Sequence, residues 1–527
     1  MKKYLKKFAA FLLAATMVLT TSATAFADET SVPSSGDTAT VTVKNVSSGG
    51  TVTGYKIVEG EYQANGKGLV GYKTVTGVSI ADVTSPTETE IANIVSALQD
   101  GGLSLDAVSF TEGENGYTAS VSAGTYLVLV SGTDDGTLYN PMLVSAGYGE
   151  DSKISGGSVD ANTNATLGGE TVYAKKSTLS IKKTIVGSNG VDHGDDVAKG
   201  SEVEFQIDSK IPDYSKSYKN LTYIIKDSLD DTFTLNEDSI KVTVDGAEVE
   251  ADDASYILTT GDDASFTITF ASNYIAANGG KEVKVTYKAK LGDNAKYNFD
   301  PNTNKVTLYY TQNPSDSATG QPDTGITEDI TYHYTFGLDA TLGGSITNVN
   351  NKKTTEIIKT GDEKVTESSS STTENKPVSG AVFTLTNKDS KKAYTATSNA
   401  EGSLNFTGLD AGSYTLVETT APDGYALENK THTVDITANY NEDGTLKTYT
   451  VAIDGKKTST YTATYVKENK TVTSVTVTGD SATTEIKNTK ISQLPSTGGM
   501  GTYVFTIVGV AIMAVAAGLF IANRKRA

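Results

Sequence analysis

Val203-Glu204-Phe205-Gln206-Ile207 alternates apolar and polar side chains with a period of two. In an extended chain successive side chains face opposite ways, so this stretch has one dry face and one wet face. The same alternation returns in Thr40-Val41-Thr42-Val43-Lys44 and in Val382-Phe383-Thr384-Leu385, each bounded by turn-forming residues. Short strands repeated in this way predict an all-β chain of tandem β-sandwiches. One segment departs from the pattern. From Glu90 to Gln99 the residues Ile91, Ile94, Val95 and Leu98 share one helical face, and Gly101 follows as a stop. It predicts a helix inserted into a sandwich.

The chain has 527 residues, enough for several domains that each bury a core. It contains no cysteine, so no disulfide can brace those cores and another covalent or packing device is expected. Net charge is −19, with positive charge clustered mainly at the two ends, which argues against nucleic acid as a partner. An acidic surface rich in Thr, Asn and Gly favours solubility outside the cell.

The ends are targeting segments. Lys2, Lys3, Lys6 and Lys7 precede an apolar run from Phe8 to Leu19, and Ala25-Phe26-Ala27 supplies small residues for cleavage, so residues 1–27 read as a secretory signal peptide. At the other end, Leu494-Pro495-Ser496-Thr497-Gly498 is followed by an uncharged run from Tyr503 to Ala522 and then Arg524, Lys525 and Arg526. As a helix that run spans a hydrocarbon core of roughly 30 Å, with the basic tail left in the cytoplasm. Residues 501–527 are therefore expected to form a transmembrane helix and tail. The whole arrangement resembles the cell-wall sorting signal of Gram-positive surface proteins, an LPxTG motif cut by a sortase between Thr and Gly. The resemblance implies cleavage at Thr497-Gly498, with residues 494–498 as the sortase motif and the product attached to peptidoglycan.

Between the ends, composition and turn spacing divide the chain into 28–172, 173–350 and 351–490, each expected to be a sandwich. Within the last, Gly361 to Lys376 is dense in Ser, Thr and charge and has an unbroken hydroxyl run from Ser368 to Thr373, so it reads as a flexible loop. A strand-like Glu356-Ile357-Ile358-Lys359 precedes it.

The third segment carries Ser379-Gly380-Ala381-Val382-Phe383, then Gly408-Leu409-Asp410-Ala411-Gly412-Ser413-Tyr414-Thr415-Leu416-Val417-Glu418-Thr419, then Ala421-Pro422-Asp423-Gly424-Tyr425. This resembles the collagen-adhesin B-type immunoglobulin-like repeat of Gram-positive pilins and adhesins, in which a Lys on the first strand is joined to an Asn on the last. The resemblance implies Lys359 as the amine, Asn488 as the amide and Glu418 as the assisting acid. Strand phase agrees, since Lys359 shares a face with Ile357 and Asn488 with Ile486. Desolvation disfavours charge, so a lysine buried with a carboxyl group tends toward a nucleophilic neutral amine and the acid toward its neutral form. Such an amine can attack the Asn carbonyl and release ammonia.

The second segment resembles the A-type partner repeat of the same pilins. Leu179-Ser180-Ile181-Lys182-Lys183-Thr184-Ile185 places Lys183 in phase with the apolar residues, and Asn304 in Asn304-Lys305-Val306-Thr307-Leu308 is likewise in phase. Asp227 would be the acid. Glu282 competes with Asp227, and Asn313 with Asn304. Either crosslink would close a loop of more than a hundred residues, worth roughly 4 to 5 kcal/mol on the chain-entropy account.

Val172-Tyr173-Ala174-Lys175-Lys176 resembles the pilin motif with a Val-Tyr-Pro-Lys-Asn core, and the resemblance implies Lys175 as the acceptor for Thr497 of another subunit. Ala174 stands for Pro and Lys176 for Asn, and the chain lacks the motif's upstream Trp; Lys176 is the alternative acceptor. In the first segment, Ala123-Gly124-Thr125-Tyr126-Leu127-Val128-Leu129-Val130 resembles the acid-bearing strand without its Glu, so no crosslink is expected there. Lys44 is out of phase with Val41 and Val43.

No enzyme is expected beyond the one-time chemistry of the chain on itself. His193, His333 and His432 are far apart and no cysteine accompanies them, so no metal site is expected, and no cofactor. Asp160-Ala161-Asn162-Thr163-Asn164 only faintly resembles a calcium loop, with Ala165 and Thr171 where Gly and Glu belong. The resemblances together imply the backbone subunit of a cell-wall-anchored, sortase-assembled pilus that supports adhesion. The expected partners are polymerising and anchoring sortases, copies of the chain itself, minor pilins and peptidoglycan. The alternative is a wall-anchored monomeric adhesin.

Overall fold

The computed structural model describes residues 31–491 and 500–524, apart from 100, 132–136, 150, 156–163, 189–190, 219, 262–263, 312–323, 341, 343–353, 368–369 and 479–482. The signal peptide, the sortase motif 494–498, most of the faint calcium-like loop and the competitor Asn313 lie outside the described residues.

The alternation seen in the sequence becomes three successive pairs of facing sheets. In the first, Thr38–Lys44 sits between Thr171–Tyr173 and Gly116–Ser122, while Thr51–Tyr62, Gly124–Ser131 and Met142–Gly147 build the opposing sheet. Val41, Val43, Tyr126 and Val128 fill the space between them. The helix extends from Glu88 to Gln99 and packs Ile91, Ile94 and Val95 onto Ile57, Val58 and Leu127 of the second sheet. Thr87 and Glu90 cap it reciprocally: the Glu90 carboxylate accepts from Thr87 N at 2.7 Å and Glu90 N donates to Thr87 Oγ1 at 3.3 Å.

In the second unit, a five-stranded sheet contains Lys182–Ile185, Glu202–Lys210 and Glu282–Leu291. A six-stranded sheet opposite contains Tyr223–Leu229, Asn302–Thr311 and Thr324–Tyr334. Phe205, Ile207, Ile225, Phe266, Val285, Val306 and Leu308 form the dry layer between them. The third unit has a seven-stranded sheet that includes Val382–Asn387 and Gly412–Thr420, covered by a three-stranded sheet in which Ile357–Glu367 pairs in parallel with Thr484–Asn488. Phe336–Leu338, directly after the last strand of the second unit, pairs with Phe406–Leu409 of the third, and Tyr334 and Phe336 belong to the third unit's core. The chain thus crosses from one sandwich to the next along a continuous extended path.

One expectation is corrected. Gly361 to Lys376 is not a loop but most of a β-hairpin, with Ile357–Glu367 paired to Ser370–Pro377 from Thr360↔Pro377 to Glu367↔Ser370. A Ser/Thr-rich segment has nothing to contribute to a core, but its backbone groups can all be satisfied by a ladder, and β-branched Thr suits an extended chain.

The apolar run near the end forms the helix Met500–Arg524. Ile507, Val508, Val510, Ile512, Met513 and Val515 are exposed on it. Side chains are described only for residues 506–518, and among the described residues no helix is long and apolar enough to cross a membrane.

Candidate functional site

Two buried clusters bring together the residues singled out by strand phase. In the second unit Lys183 lies on the first strand of the five-stranded sheet, paired with Ile207, so its side chain enters the layer between the sheets. Asp227 and Asn304 come from neighbouring strands of the opposite sheet, where Asp227 pairs with Val306 and Asn304 with Leu229. All three are fully buried. The Lys183 amine contacts Asp227 Oδ2 closely. Burial pushes the Lys183 ammonium down and the Asp227 carboxyl up, with their mutual attraction a partial offset. Glu282, the competing acid, is exposed at the start of its strand, because Val283 and Val285 hold the inward phase there.

A fourth residue completes this cluster. Tyr287 projects from the sheet that carries Lys183, stacked on Phe205 with ring centroids 5.1 Å apart and edge-on to Phe266 at 4.8 Å. Its hydroxyl donates to Asp227 Oδ1 at 2.8 Å and accepts from Lys183 Nζ at 2.5 Å and from Asn304 Nδ2 at 2.7 Å. Asn304 Oδ1 is buried without a hydrogen-bond partner. His333 lies edge-on to Phe205 and Phe233, and burial pushes its imidazole down to about 3, so it stays neutral. Tyr287 was not predicted: an inward tyrosine on an alternating strand reads simply as core.

In the third unit Lys359 and Asn488 sit on adjacent parallel strands, with Lys359 paired to Ile486 and Gly361 to Asn488. Glu418 reaches them from the opposing sheet, and all three are buried. Lys359 Nζ lies 3.8 Å from Glu418 Oε1 and donates to the Ile486 carbonyl at 2.9 Å. Burial holds this lysine below its ordinary value. Asn488 Nδ2 donates directly to both Glu418 oxygens, at 3.0 and 2.9 Å, and to the Ala426 carbonyl at 2.8 Å, while its Oδ1 is buried without a partner. Glu428 N holds Glu418 Oε2 from the other side at 2.7 Å.

Both sites therefore pair a lysine whose charged form burial disfavours with a buried carboxyl group and a buried side-chain amide. That arrangement can do nucleophilic acyl transfer, with the amine as attacking group and ammonia leaving.

At the junction of the first two units, Lys175 and Lys176 are both exposed. Lys176–Thr178 pairs with Thr137–Tyr139, and Asn140 N donates to the Lys175 carbonyl at 3.2 Å, so the backbone under both amines is fixed. Ala174 is buried; its N–H donates to the Lys44 carbonyl at 2.8 Å, a bond that proline could not make, and its carbonyl accepts from Asn45 Nδ2 at 2.9 Å. Lys44 itself is half-buried over the Tyr173 ring. The first unit does hold a buried acid, Glu170, which accepts from Ser145 N at 3.0 Å and whose carboxyl is pushed up by burial. It lies off the strand that resembles the acid-bearing one.

Three segments of the chain match known families. Residues 36–176 match the T6 antigen Ig-like domain, 363–452 the prealbumin-like fold domain and 486–527 the LPXTG cell wall anchor motif. The chain is 28% identical to the Trypsin-resistant surface T6 protein of Streptococcus pyogenes serotype M6, over 94% of this chain and 96% of that one. A 98-residue stretch is 33% identical to Platelet adherence protein A of Streptococcus gordonii, covering 19% of this chain and 2% of that one. Among solved structures, the T6 backbone pilin of Streptococcus pyogenes, described as a modular three-domain structure, superposes with a TM-score of 0.60 at 24% identity over 86% of this chain and 99% of that one. The chain thus shares the fold of a streptococcal backbone pilin and carries the LPXTG anchor motif of Gram-positive cell-wall surface proteins.

Proposed function

We propose that this chain forms the shaft of a covalent pilus. A sortase cleaves between Thr497 and Gly498 and joins Thr497 to the Lys175 amine of a neighbouring copy, and the second and third units each brace themselves with an isopeptide bond, Lys183 to Asn304 and Lys359 to Asn488. The observation that carries the reading is the paired burial of amine, acid and amide in two successive sandwiches of a chain without cysteine. Burying such groups is costly unless they are used, and a crosslink removes the cost by converting an amine and an amide into one neutral amide. Exposure of Lys175 on a strand-fixed backbone suits an acceptor that a sortase must reach.

In each closure the lysine amine attacks Asn Cγ, the Cγ–Nδ2 bond breaks, and the proton lost by Nζ ends on the departing ammonia through the carboxyl group. Glu418 is placed for that transfer, since it already touches the leaving nitrogen. A crosslinked shaft also fits the trypsin resistance named for the streptococcal relative. The fibre would support adhesion through its exposed surfaces.

Two measurements test the reading. The intact ectodomain should be lighter than its sequence by two ammonias, with Glu418→Ala restoring one; an unchanged wild-type mass refutes the crosslinks. Denaturing gels of wall extracts should show a ladder of covalent multimers that collapses in Lys175→Ala. A ladder that survives there but collapses in Lys176→Ala moves the acceptor by one residue. Absence of any ladder with the cognate sortase present favours the monomeric adhesin.

A further inference from the structure

The two clusters differ in how the acid meets the leaving nitrogen. Glu418 hydrogen-bonds Asn488 Nδ2 directly, whereas the hydrogen-bond partner of Asn304 Nδ2 is the Tyr287 hydroxyl, which in turn donates to Asp227. Aspartate is one methylene shorter than glutamate. The phenol supplies the missing reach from the opposite sheet.

We propose that Tyr287 is a catalytic residue of the second-unit closure, relaying a proton from Asp227 to Asn304 Nδ2. The proposal rests on the isopeptide reading above. Lys183 Nζ bonds to Asn304 Cγ, and as the amine gains positive character one N–H proton passes to Asp227 Oδ2, which it already contacts. Asp227 Oδ1 gives a proton to Tyr287 Oη, which passes its own to the now pyramidal Nδ2. The Cγ–Nδ2 bond breaks and ammonia leaves. Nζ keeps one hydrogen as the new amide N–H; Tyr287 ends as it began, and Asp227, which entered as the acid protonated at Oδ1, ends as the acid protonated at Oδ2.

Three further observations suit the phenol to this task. Its oxygen meets nucleophile, acid and leaving group at once, at 2.5, 2.8 and 2.7 Å. The ring is clamped between Phe205 and Phe266, so the hydroxyl is positioned before reaction. Burial, with the Asp227 charge adding, pushes the phenol well above its ordinary value, so it is protonated and able to donate. Among the described residues no such bridge serves the third unit, whose acid reaches the amide unaided.

The test follows closure in the full ectodomain after a short pulse of synthesis, with proteolytic digestion and mass measurement of the two crosslinked fragments. The third-unit bond is an internal clock for folding. Tyr287→Phe keeps the ring and its stacking; its second-unit bond should form on the order of a hundredfold more slowly, the usual worth of general acid–base assistance, while the third-unit bond forms on time. In the Tyr287→Phe background, Asp227→Glu should recover part of the rate by restoring direct contact with Nδ2. A ring-fluorinated tyrosine placed at 287 alters phenol acidity with little change in shape, and the closure rate should change with it. Wild-type closure matched by Tyr287→Phe, or a rate indifferent to fluorination, overturns the relay. Failure of wild type to close the second unit at all refutes instead the isopeptide reading on which the relay depends.

Discussion

The second and third units assemble the same three functional groups in two different parts of a sandwich. Lys183 and Asn304 face each other across the core from separate sheets, whereas Lys359 and Asn488 are neighbours on parallel strands of one sheet. The difference matters most for load. Asn488 is on the final strand of its unit, so a Lys359–Asn488 bond ties the first strand to the last. Asn304 is on the strand before the final one, and Thr324–Tyr334 lies outside the proposed Lys183–Asn304 loop. That last strand is held by its backbone ladder and by Asp329, which accepts from Lys183 N at 2.7 Å and pairs with His193 at 2.9 Å. The same proposed chemistry would enclose the third unit from Lys359 to its last strand and the second only in part.

Pulling on a single ectodomain from its ends should break this comparison open most clearly. The third unit should release only the segment ahead of Lys359, whose strand Phe336–Leu338 lies outside the closed loop, and the second should release only residues 305–334, about 100 Å at full extension. Asn488→Ala should add a full unfolding step for the third unit. A wild-type second unit that gives no step would mean its last strand is secured by something other than the proposed bond.

Next in size is the equilibrium effect. Removing either crosslink, by Asn304→Ala or Asn488→Ala, should lower the stability of its own unit by roughly 4 to 5 kcal/mol, with similar values because the two closed loops are of similar length. Denaturant melts of the two variants, each followed by a probe in the affected unit, check this. Values that differ several-fold would show that site-specific strain, and not loop closure, governs the gain.

How legible these sites were depended on what each residue had to do. Lys183, Asn304, Lys359 and Asn488 stand out because a polar group in the apolar phase of a strand breaks a pattern, and the break is visible in one dimension. Tyr287 breaks no pattern, because tyrosine belongs on a half-buried strand, and only the meeting of two sheets reveals what its hydroxyl touches. The hairpin of Ile357–Glu367 and Ser370–Pro377 was missed for the opposite reason: it has a strand's backbone without a strand's apolar face. Glu170 escaped because its burial comes from the way its neighbours fold over it and not from the local alternation. Local periodicity carries the faces of strands; it does not carry which faces meet.

A third contrast concerns pH in the uncrosslinked variants. In the second unit His333 is pushed down from 6.5 to about 3, so below pH 6.5 the unfolded chain takes up a proton that the folded one refuses. Stability should fall as pH drops from 6.5 toward 3. In the third unit Asp339 accepts from Leu404 N and Ile357 N and lies beside Glu356; burial, with Glu356 adding, pushes it up from 3.8 to about 7. Its contribution is present below pH 3.8 and is lost as pH rises through 7. Each effect is on the order of 4 to 5 kcal/mol. Adding His333→Phe to Asn304→Ala should therefore remove a loss of stability toward pH 3, and adding Asp339→Asn to Asn488→Ala should remove a loss toward pH 7, as melts across this range would show.

The smallest effect tests how tightly the third site is roofed. Gly361 pairs with Asn488, and a Cβ there would lie 2.4 Å from the Tyr425 ring and 2.7 Å from Val378. Those contacts are closer than atoms tolerate, so the ring has to move away from the strand that carries Lys359. Gly361→Ala should cost about 1 to 3 kcal/mol, as overpacking does, and should slow the third-unit closure without touching the second. Thermal melts report the first and the pulse-and-digest time course the second. If closure is unchanged while stability falls, Tyr425 covers the site without helping to position it, and the alignment of Lys359 with Asn488 is set by the parallel ladder alone.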